Sequence, residues 1–295
     1  MSTAHIYSMT VALLKKQEHC SLFYAVCGRL PRMEIAMDGH SREENANDRT
    51  EPILTLRPPP RLGKRARNRL AVEADILRVA REHLATDGAA ALSLRAVARD
   101  LGMVSSGIYR YVESRDELLT RLIVDSYWSL AAAVRTAHDA VEETDLDGRW
   151  DALGRALREW ALERPHDFAL IYGSPVPDYE APAERTQEPG TAVIALLVDL
   201  LGDVRRAGRL ADPDRMGLPR PRARAGAGAL LESPLFDASG LDAVMLAQGI
   251  AAWTLLLGAV TSEVFAQLGP VPDAAALFDC LLAVSRRCVI AAPGD

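Results

Sequence analysis

Polar side chains suited to recognising nucleic acid are concentrated in one short segment of this 295-residue chain. The segment runs from residue 105 to residue 111 and carries Ser105, Ser106, Tyr109, Arg110 and Tyr111. Each of these side chains can donate a hydrogen bond to a phosphate oxygen or a base edge. The chemistry they predict is noncovalent recognition of a polyanion.

Small residues upstream place this segment on the second helix of a helix-turn-helix. Ala98 is small where two short helices must cross, and Gly102 suits a turn that needs positive φ. Val97, Leu101 and Ile108 then close a small core against the preceding helix. The outer face of the second helix is left free for a major groove.

A basic run precedes this motif. Between positions 61 and 70 the cations are Arg61, Lys64, Arg65, Arg67 and Arg69, with no acidic residue among them. We expect a flexible arm that follows the DNA backbone or a minor groove, although a solvated linker is the alternative. The predicted DNA-binding residues are therefore Lys64, Arg65, Arg67, Arg95, Ser105, Ser106, Tyr109, Arg110, Tyr111 and Arg115.

Charge divides the chain into regions of opposite sign. The net charge is −6, yet residues 61–125 hold 12 Lys and Arg against 9 Asp and Glu, whereas residues 126–295 hold 15 against 24. We predict a poorly ordered extension over 1–60, a DNA-binding domain over 61–125 and a ligand-binding and dimerisation domain over 126–295. Pro58 to Pro60 favour an extended spacer at the first boundary.

Hydrophobic periodicity predicts helices almost throughout. Val72, Ile76, Val79, Ala80 and Leu84 fall on one helical face. Further helices are predicted at about 94–101, 105–112, from 115 onward, 148–163, 165–172, 189–207, 240–267 and 273–291, with a loop over 212–227. No run alternates as a strand, so the predicted fold is all-α: a three-helix DNA-binding domain followed by a helical domain.

The acidic region offers a binding pocket rather than catalytic chemistry. Its aromatic residues are candidates to line a pocket between helices, and the predicted ligand-binding residues are Trp128, Trp160, Phe168, Tyr172 and Trp253. Its last two predicted helices carry wide apolar faces that suit a four-helix dimer seam. A twofold dimer would place its two recognition helices on palindromic double-stranded DNA.

Other function classes find little support. The four cysteines form no CxxC pair and the six histidines are scattered, so neither a metal site nor a disulfide framework is expected. We find no GxSxG, HExxH or Walker motif and no paired carboxylates, and no cofactor is indicated. The most apolar stretch, Val244 to Val260, is better explained as a buried or dimer-forming helix than as a membrane span. No signal peptide is evident, so a cytoplasmic location is expected.

The motif region resembles the DNA-binding domain of TetR/AcrR-type transcriptional regulators. The matching pieces are Ile76-Leu77, Asp87-Gly88, Ser93 to Ala98, Leu101-Gly102, Ile108 to Tyr111 and Ser114 to Leu119. The region after it resembles the WHG type of C-terminal domain through Trp160 to Pro165, Tyr172 to Pro177, Trp253 and Gly258.

The resemblance implies roles for individual residues. Tyr109 and Tyr111 would contact phosphates, Arg115 would anchor the next helix, and Ser105, Ser106 and Arg110 would lie near bases. This chain departs from the family at four positions: Val104 replaces a frequent Ser, Tyr111 a frequent His, Val112 a frequent Phe and Leu257 a frequent His.

The predicted function is that of a dimeric repressor released from DNA by a small apolar ligand. Three alternatives stay open: an activator, a DNA binder without a ligand, and an all-α enzyme with an incidental basic arm.

Overall fold

The computed structural model describes residues 63–292 with the exception of Ala238. Over this range the chain forms ten α-helices and no strand, which confirms the all-α class. The helices are α1 (Lys64–Asp87), α2 (Leu94–Asp100), α3 (Ser105–Ile108), α4 (Arg115–Asp139), α5 (Leu146–Glu163), α6 (Pro165–Tyr172), α7 (Ala183–Arg206), α8 (Arg220–Ala227), α9 (Ala243–Val264) and α10 (Ala274–Arg287). The predicted extension over 1–60 and Arg61 lie outside the described residues.

The first helix begins earlier than the sequence predicted. We expected a flexible basic arm before a helix starting near residue 71, but α1 begins at Lys64 and includes Arg65 and Arg67. Arg and Lys have high helix propensity, and Arg69 pairs with Glu73 one turn later at 2.9 Å. The basic side chains are therefore carried on an exposed helical turn, and the prediction of a flexible arm is wrong for Lys64 onward.

Further helix boundaries also differ from the prediction: α3 ends at Ile108 rather than at about 112, because a turn follows. The stretch predicted as a loop over 212–227 contains α8, which starts directly after Pro219, and Pro221 occupies its first turn, where a missing N–H costs little. Helix α7 starts at Ala183 rather than 189 and continues through the buried Pro189. Proline positions alone were thus a poor guide to where helices end in this region.

A small hydrophobic core holds α1, α2 and α3 against the start of α4. Ile76, Val97, Ala98, Ile108 and Leu118 are fully buried in it. Helix α4 opens at Ser114, whose Oγ accepts a hydrogen bond from Glu117 N at 3.0 Å. The predicted start of this helix is confirmed.

Helix α4 belongs to two cores at once. Leu118, Leu119 and Leu122 pack with the N-terminal helices, whereas Ile123 and Leu130 pack with the larger C-terminal core. The predicted domain boundary at residue 125 therefore falls inside a continuous helix. The helix thus contributes side chains to both cores.

The larger core fills the space between α4, α5, α7, α9 and α10. Trp150, Leu153 and Leu157 of α5 are fully buried there. Gly154 permits a close approach between α5 and α10, because a Cβ at this position would overlap Leu282. Asp242 caps α9 by accepting hydrogen bonds from Val244 N at 2.8 Å and Met245 N at 2.9 Å.

Helix α9 is, within the described residues, the one helix long and apolar enough to cross a membrane by length and composition. Its most apolar window has a mean hydropathy of 1.8, and half of that window is buried inside the fold. Ala252 and Leu256 of this helix are fully buried in the larger core. Packing in the larger core therefore accounts for the buried half of this apolar window.

Candidate DNA-binding surface

The turn between α2 and α3 depends on Gly102. This residue has φ of 66°, in the left-handed region that favours glycine. Gly102 N donates to Arg99 O at 3.0 Å, and Met103 N donates to Ala98 O at 2.8 Å. These two bonds satisfy the carbonyls at the end of α2 as in a Schellman motif. The positive φ predicted from the sequence is confirmed.

The predicted contact between the two helices is also confirmed. Ala98 has no exposed surface, and neither do Val97 and Ile108. Leu101 is only partly buried, at the edge of the same core. The short α3 is therefore held on the protein by its inner face.

The outer face of α3 is open to solvent. Ser105, Ser106, Tyr109 and Arg110 are all exposed, and the side chain of Tyr109 is 46% exposed. The four side chains lie within one and a half helical turns, although regular helix ends at Ile108 and a turn follows. The structure thus places together four of the ten residues that the sequence predicted to contact DNA.

An open surface groove runs beside this face, between α2 and the start of α3. It is lined by Ser93, Arg95, Ala96, Arg99, Gly102, Met103, Val104 and Ser105. The groove brings together Arg95 and Ser105, two of the predicted DNA-binding residues, and adds Arg99, which the sequence reasoning did not include. The sequence spacing could have predicted this position, because Arg99 follows Arg95 by four residues on α2 and so lies on the same helical face.

Tyr111 is held differently from Tyr109. It is half-buried, packs against the N-terminal core and carries the guanidinium of Arg69 5.8 Å above its ring. Arg69 also pairs with Glu73. The basic start of α1 is thereby linked to the end of the recognition segment, and Tyr111 is oriented from α1 rather than free in solvent.

The residues that precede α2 and α3 make no side-chain capping hydrogen bond. Ser93 occupies the position before α2 in extended geometry, but its hydroxyl makes no capping bond. Val104 occupies the same position before α3, where no hydroxyl is available. The Val104 side chain is 73% exposed. No side chain therefore caps the first turn of α3.

Arg115 anchors a neighbouring turn. Its guanidinium Nη2 donates to the carbonyl of Ala89 at 3.1 Å and to that of Ala90 at 3.2 Å. The side chain is only 29% exposed. These bonds tie the start of α4 to the turn that follows α1, so Arg115 supports the fold of this domain whether or not it also meets a phosphate.

The N-terminal helices are tied to the C-terminal region by one buried carboxylate. Arg81 of α1 donates to Asp167 of α6 at 3.2 Å and also pairs with Asp125 of α4. Asp167 is 5% exposed. A buried charge of this kind is costly without its partner, and Arg81 thereby joins α1 to both α4 and α6.

A second link joins α4 to α7. Glu117 of α4 accepts hydrogen bonds from Arg121 at 2.6 Å and from Arg185 of α7. Burial acts to raise the pKa of Glu117, but the bonds from Arg185 and Arg121 outweigh it and hold the pKa below its ordinary value. Nearby, the hydroxyls of Thr120 and Tyr179 are 2.9 Å apart.

The predicted ligand-binding aromatics do not surround one cavity. Phe168 and Tyr172 pack together with their ring centroids 5.2 Å apart. Trp160 is buried and donates from Nε1 to Ser129 Oγ at 3.0 Å. Trp128 is 45% exposed on α4. Their role in ligand binding stays a prediction, and only Trp253 lines the cavity described next.

An apolar cavity of about 120 Å³ lies between α7, α9 and the segment before α9. Its wall is almost wholly hydrocarbon and aromatic, and the lining residues are Gly190, Thr191, Ile194, Leu197, Val198, Leu201, Leu230, Phe236, Leu246, Gly249, Ile250, Trp253 and Thr254. A cavity of this size matches a compact ring-sized molecule. Within the described part of the chain, no group of three His, Cys, Asp or Glu residues could hold a metal ion.

Comparison with known proteins agrees with this architecture. Residues 76–122 match the family model for bacterial regulatory proteins of the tetR family, and residues 150–284 match the tetracyclin repressor-like C-terminal domain. HTH-type transcriptional regulator Rv1816 of Mycobacterium tuberculosis is 40% identical over 227 residues, which cover 74% of this chain and 92% of that protein. HTH-type transcriptional regulator Mb1846 of Mycobacterium bovis matches to the same extent.

Solved structures show the same fold. Regulatory protein SCO4313 has a TM-score of 0.61 and 34% identity, over 76% of this chain and 98% of that one. A tetR family regulator from Shewanella sp. PV-4 has a TM-score of 0.52 at 16% identity, over 75% of this chain and 98% of that one, and shows likeness of fold alone.

The fold and the exposed helix α3 define a helix-turn-helix transcriptional regulator, a class that is not enzymatic. The chain belongs to the TetR family.

Proposed function

We propose that this regulator is a dimeric repressor that reads a palindromic operator with α3 and releases it when a small apolar ligand binds. The observation that supports this best is the exposed polar face of α3, held rigidly by Gly102 and the buried residues beneath it. Ser105, Ser106 and Arg110 would approach base edges, since they lie on the solvent face of the helix.

Contacts to the DNA backbone would flank those to the bases. Tyr109 is exposed beside Arg110, and Tyr111 is oriented by Arg69. Lys64, Arg65 and Arg67 would reach phosphates from the first turns of α1, and Arg95 from the groove beside α3. The N-terminal region from 63 to 125 would thus form the DNA-binding domain, and the residues from 126 onward the ligand-binding and dimerisation domain.

A dimer would form through α9 and α10. The exposed residues of α9 include a row of small side chains: Ala251, Thr254 and Gly258. Those of α10 include an apolar row: Ala276, Cys280 and Val284. Val284 is 53% exposed although it is aliphatic. Two such helix pairs related by a twofold axis would form a four-helix seam and place two α3 helices on one face of DNA, about 34–36 Å apart or further.

Binding of the ligand would lower the affinity for DNA, and binding of DNA would lower the affinity for the ligand, through the position of α4. Since this helix belongs to both cores and is linked to α6 by Arg81 and to α7 by Glu117, a ligand that repositions α7 or α9 changes the position of the recognition helices. The coupling free energy of such systems is typically about 1–3 kcal/mol. A regulator of this kind would act in the cytoplasm.

Transcript measurement in the host tests the repressor assignment. Deletion of the gene should raise transcription of genes beside the bound sites, and re-expression should restore it. An Arg110→Ala variant expressed at the same level serves as the DNA-binding control and should fail to restore repression. A fall in transcription on deletion would make the protein an activator instead, and binding that no small molecule reverses would make it a ligand-independent DNA binder.

A further inference from the structure

The candidate DNA-binding surface carries an exposed aliphatic side chain among its polar and basic ones. Val104, the residue before α3, is 73% exposed, the largest exposed fraction of any large hydrophobic residue in the described part of the chain. It lines the surface groove between α2 and α3 together with Arg95, Arg99 and Ser105. A surface suited to a polyanion therefore includes, between its cations and hydroxyls, a side chain that cannot form a hydrogen bond.

Local contacts hold Val104 in place. Its carbonyl accepts a hydrogen bond from Gly107 N at 2.7 Å. Gly107 is buried, and a Cβ at that position would lie only 3.3 Å from Val104 Cγ2, so one methyl group of the valine rests against the glycine. A β-branched side chain is also stiff at χ1. Most of the Val104 side chain is thus presented to solvent from a fixed position.

The packing of α3 on the protein comes from other residues. Ile108 is fully buried in the N-terminal core, and Met103 is partly buried against the same core. Val104 is exposed instead, so it adds little to that core. Its methyl groups are therefore available to whatever binds the surface formed by α2 and α3.

We propose that Val104 determines specificity by packing against the C5-methyl group of a thymine in each half-site of the operator. Among the base-edge groups that the major groove presents, this methyl is the apolar one, whereas the others accept or donate hydrogen bonds. Val104 would thus read a group that Ser105, Ser106 and Arg110 do not recognise through their hydrogen bonds. The inference rests on the proposed function in one respect, that α3 enters a major groove.

Removal of the methyl group from the DNA tests this contact without any change to the protein. A consensus is first selected from random duplexes with the full-length protein. Each thymine of the consensus is then replaced in turn by deoxyuridine, which lacks the methyl but keeps every hydrogen-bonding group. Fluorescence anisotropy should show that one position in each half-site loses about three- to fivefold in affinity, the effect of one methyl group. A consensus in which no thymine is sensitive to this replacement would overturn the proposal.

Val104→Ser removes both methyl groups of the side chain, and serine suits the residue before a helix. This variant should bind the thymine and deoxyuridine duplexes equally at the sensitive position. Leu162→Ser is the matched control, because it removes an exposed aliphatic side chain from α5 and should keep the wild-type preference. A preference for thymine that persists in Val104→Ser would assign the methyl contact to another residue and overturn the proposal.

A second base substitution separates the methyl group from the rest of the thymine. At the sensitive position, 5-methylcytosine paired with guanine carries a methyl at the same ring position but has different hydrogen-bonding groups. Wild type should bind this duplex more tightly than its cytosine counterpart, and Val104→Ser should not. Equal binding of the two duplexes by wild type would contradict the contact.

The outcomes distinguish this inference from the proposed function. A shared consensus without any dependence on methyl groups would overturn the role of Val104 and leave sequence-specific binding by α3 intact. Random duplexes that yield no consensus would contradict the proposed function, and the role of Val104 with it.

Discussion

Arg110 and Arg115 are only five residues apart but have different surroundings. Arg110 is exposed on the outer face of the recognition segment, whereas Arg115 is bonded to two main-chain carbonyls. Both are among the predicted DNA-binding residues, Arg110 near bases and Arg115 as an anchor of the next helix. The structure separates a side chain that is free to read a base from one that supports the domain.

Replacement of Arg110 by Ala should weaken operator binding by about 1–3 kcal/mol and relax the preference at one base position, because a base contact is lost. Binding to a library of operator variants measures both effects. Arg222→Ala, an exposed arginine on α8, removes the same charge away from α3 and should change neither. Weakening that is uniform over all sequences would assign Arg110 to a phosphate instead.

Replacement of Arg115 by Ala should lower the free energy of unfolding by about 1–3 kcal/mol, since two carbonyls lose a charged donor. Thermal or urea unfolding measures this directly. Arg110→Ala is the matched control and should unfold as wild type does. Full stability in Arg115→Ala would mean that the bonds to Ala89 and Ala90 contribute little, and that any DNA-binding defect arises from a direct contact.

At the scale of elements, the helix-turn-helix is the part that sequence predicts best. Ala98, Gly102 and Ile108 each have one steric role at a fixed spacing, so the pattern determines the local geometry. Helix boundaries elsewhere were less predictable. The basic start of α1 has no apolar periodicity to extend the predicted helix, and the Arg and Pro residues of α8 resemble a loop although Pro221 is tolerated in the first turn.

The other features that the sequence did not predict depend on contacts between residues far apart in the chain. Nothing in the spacing of Arg81, Asp125 and Asp167 indicates that they meet, since the pairing depends on how α6 packs against α1. The five predicted ligand-binding aromatics likewise do not line one common cavity, and only Trp253 borders the cavity between α7 and α9. Aromatic residues are frequent in any helical core, and only the packing decides which of them border a cavity.

The link between α4 and α7 should be sensitive to acid. The pKa of Glu117 in the folded protein is held below its ordinary value of about 4.5, so its ion pairs stabilise the fold above that value and are lost as the pH falls through the lowered pKa. Glu117→Gln should cost about 1 kcal/mol at neutral pH and nothing in acid, where wild type has lost the same interaction.

Urea unfolding at a series of pH values measures this difference. Glu113→Gln is the matched control, since Glu113 is exposed just before α4 and should follow wild type throughout. A constant difference between wild type and Glu117→Gln from neutral to acidic pH would show that the carboxylate charge is not what joins the two helices.

For the whole molecule, the proposed dimer seam requires that the exposed apolar row of α10 is buried against the partner subunit. Val284→Arg places a charge on its exposed apolar row and should convert the protein to a monomer, because a buried unpaired charge costs more than an interface of this kind supplies. Sedimentation velocity measures the mass. Leu162→Arg, on the exposed face of α5, should leave a dimer. A Val284→Arg protein that stays dimeric would move the seam elsewhere.

Selection of genomic fragments from the host by the purified protein, followed by sequencing, tests the central claim most directly. We expect enrichment of an inverted repeat whose half-sites lie one helical turn apart or further, and loss of that enrichment in the Arg110→Ala variant. Fragments that carry no common sequence, or equal enrichment by wild type and the variant, would contradict sequence-specific recognition by α3.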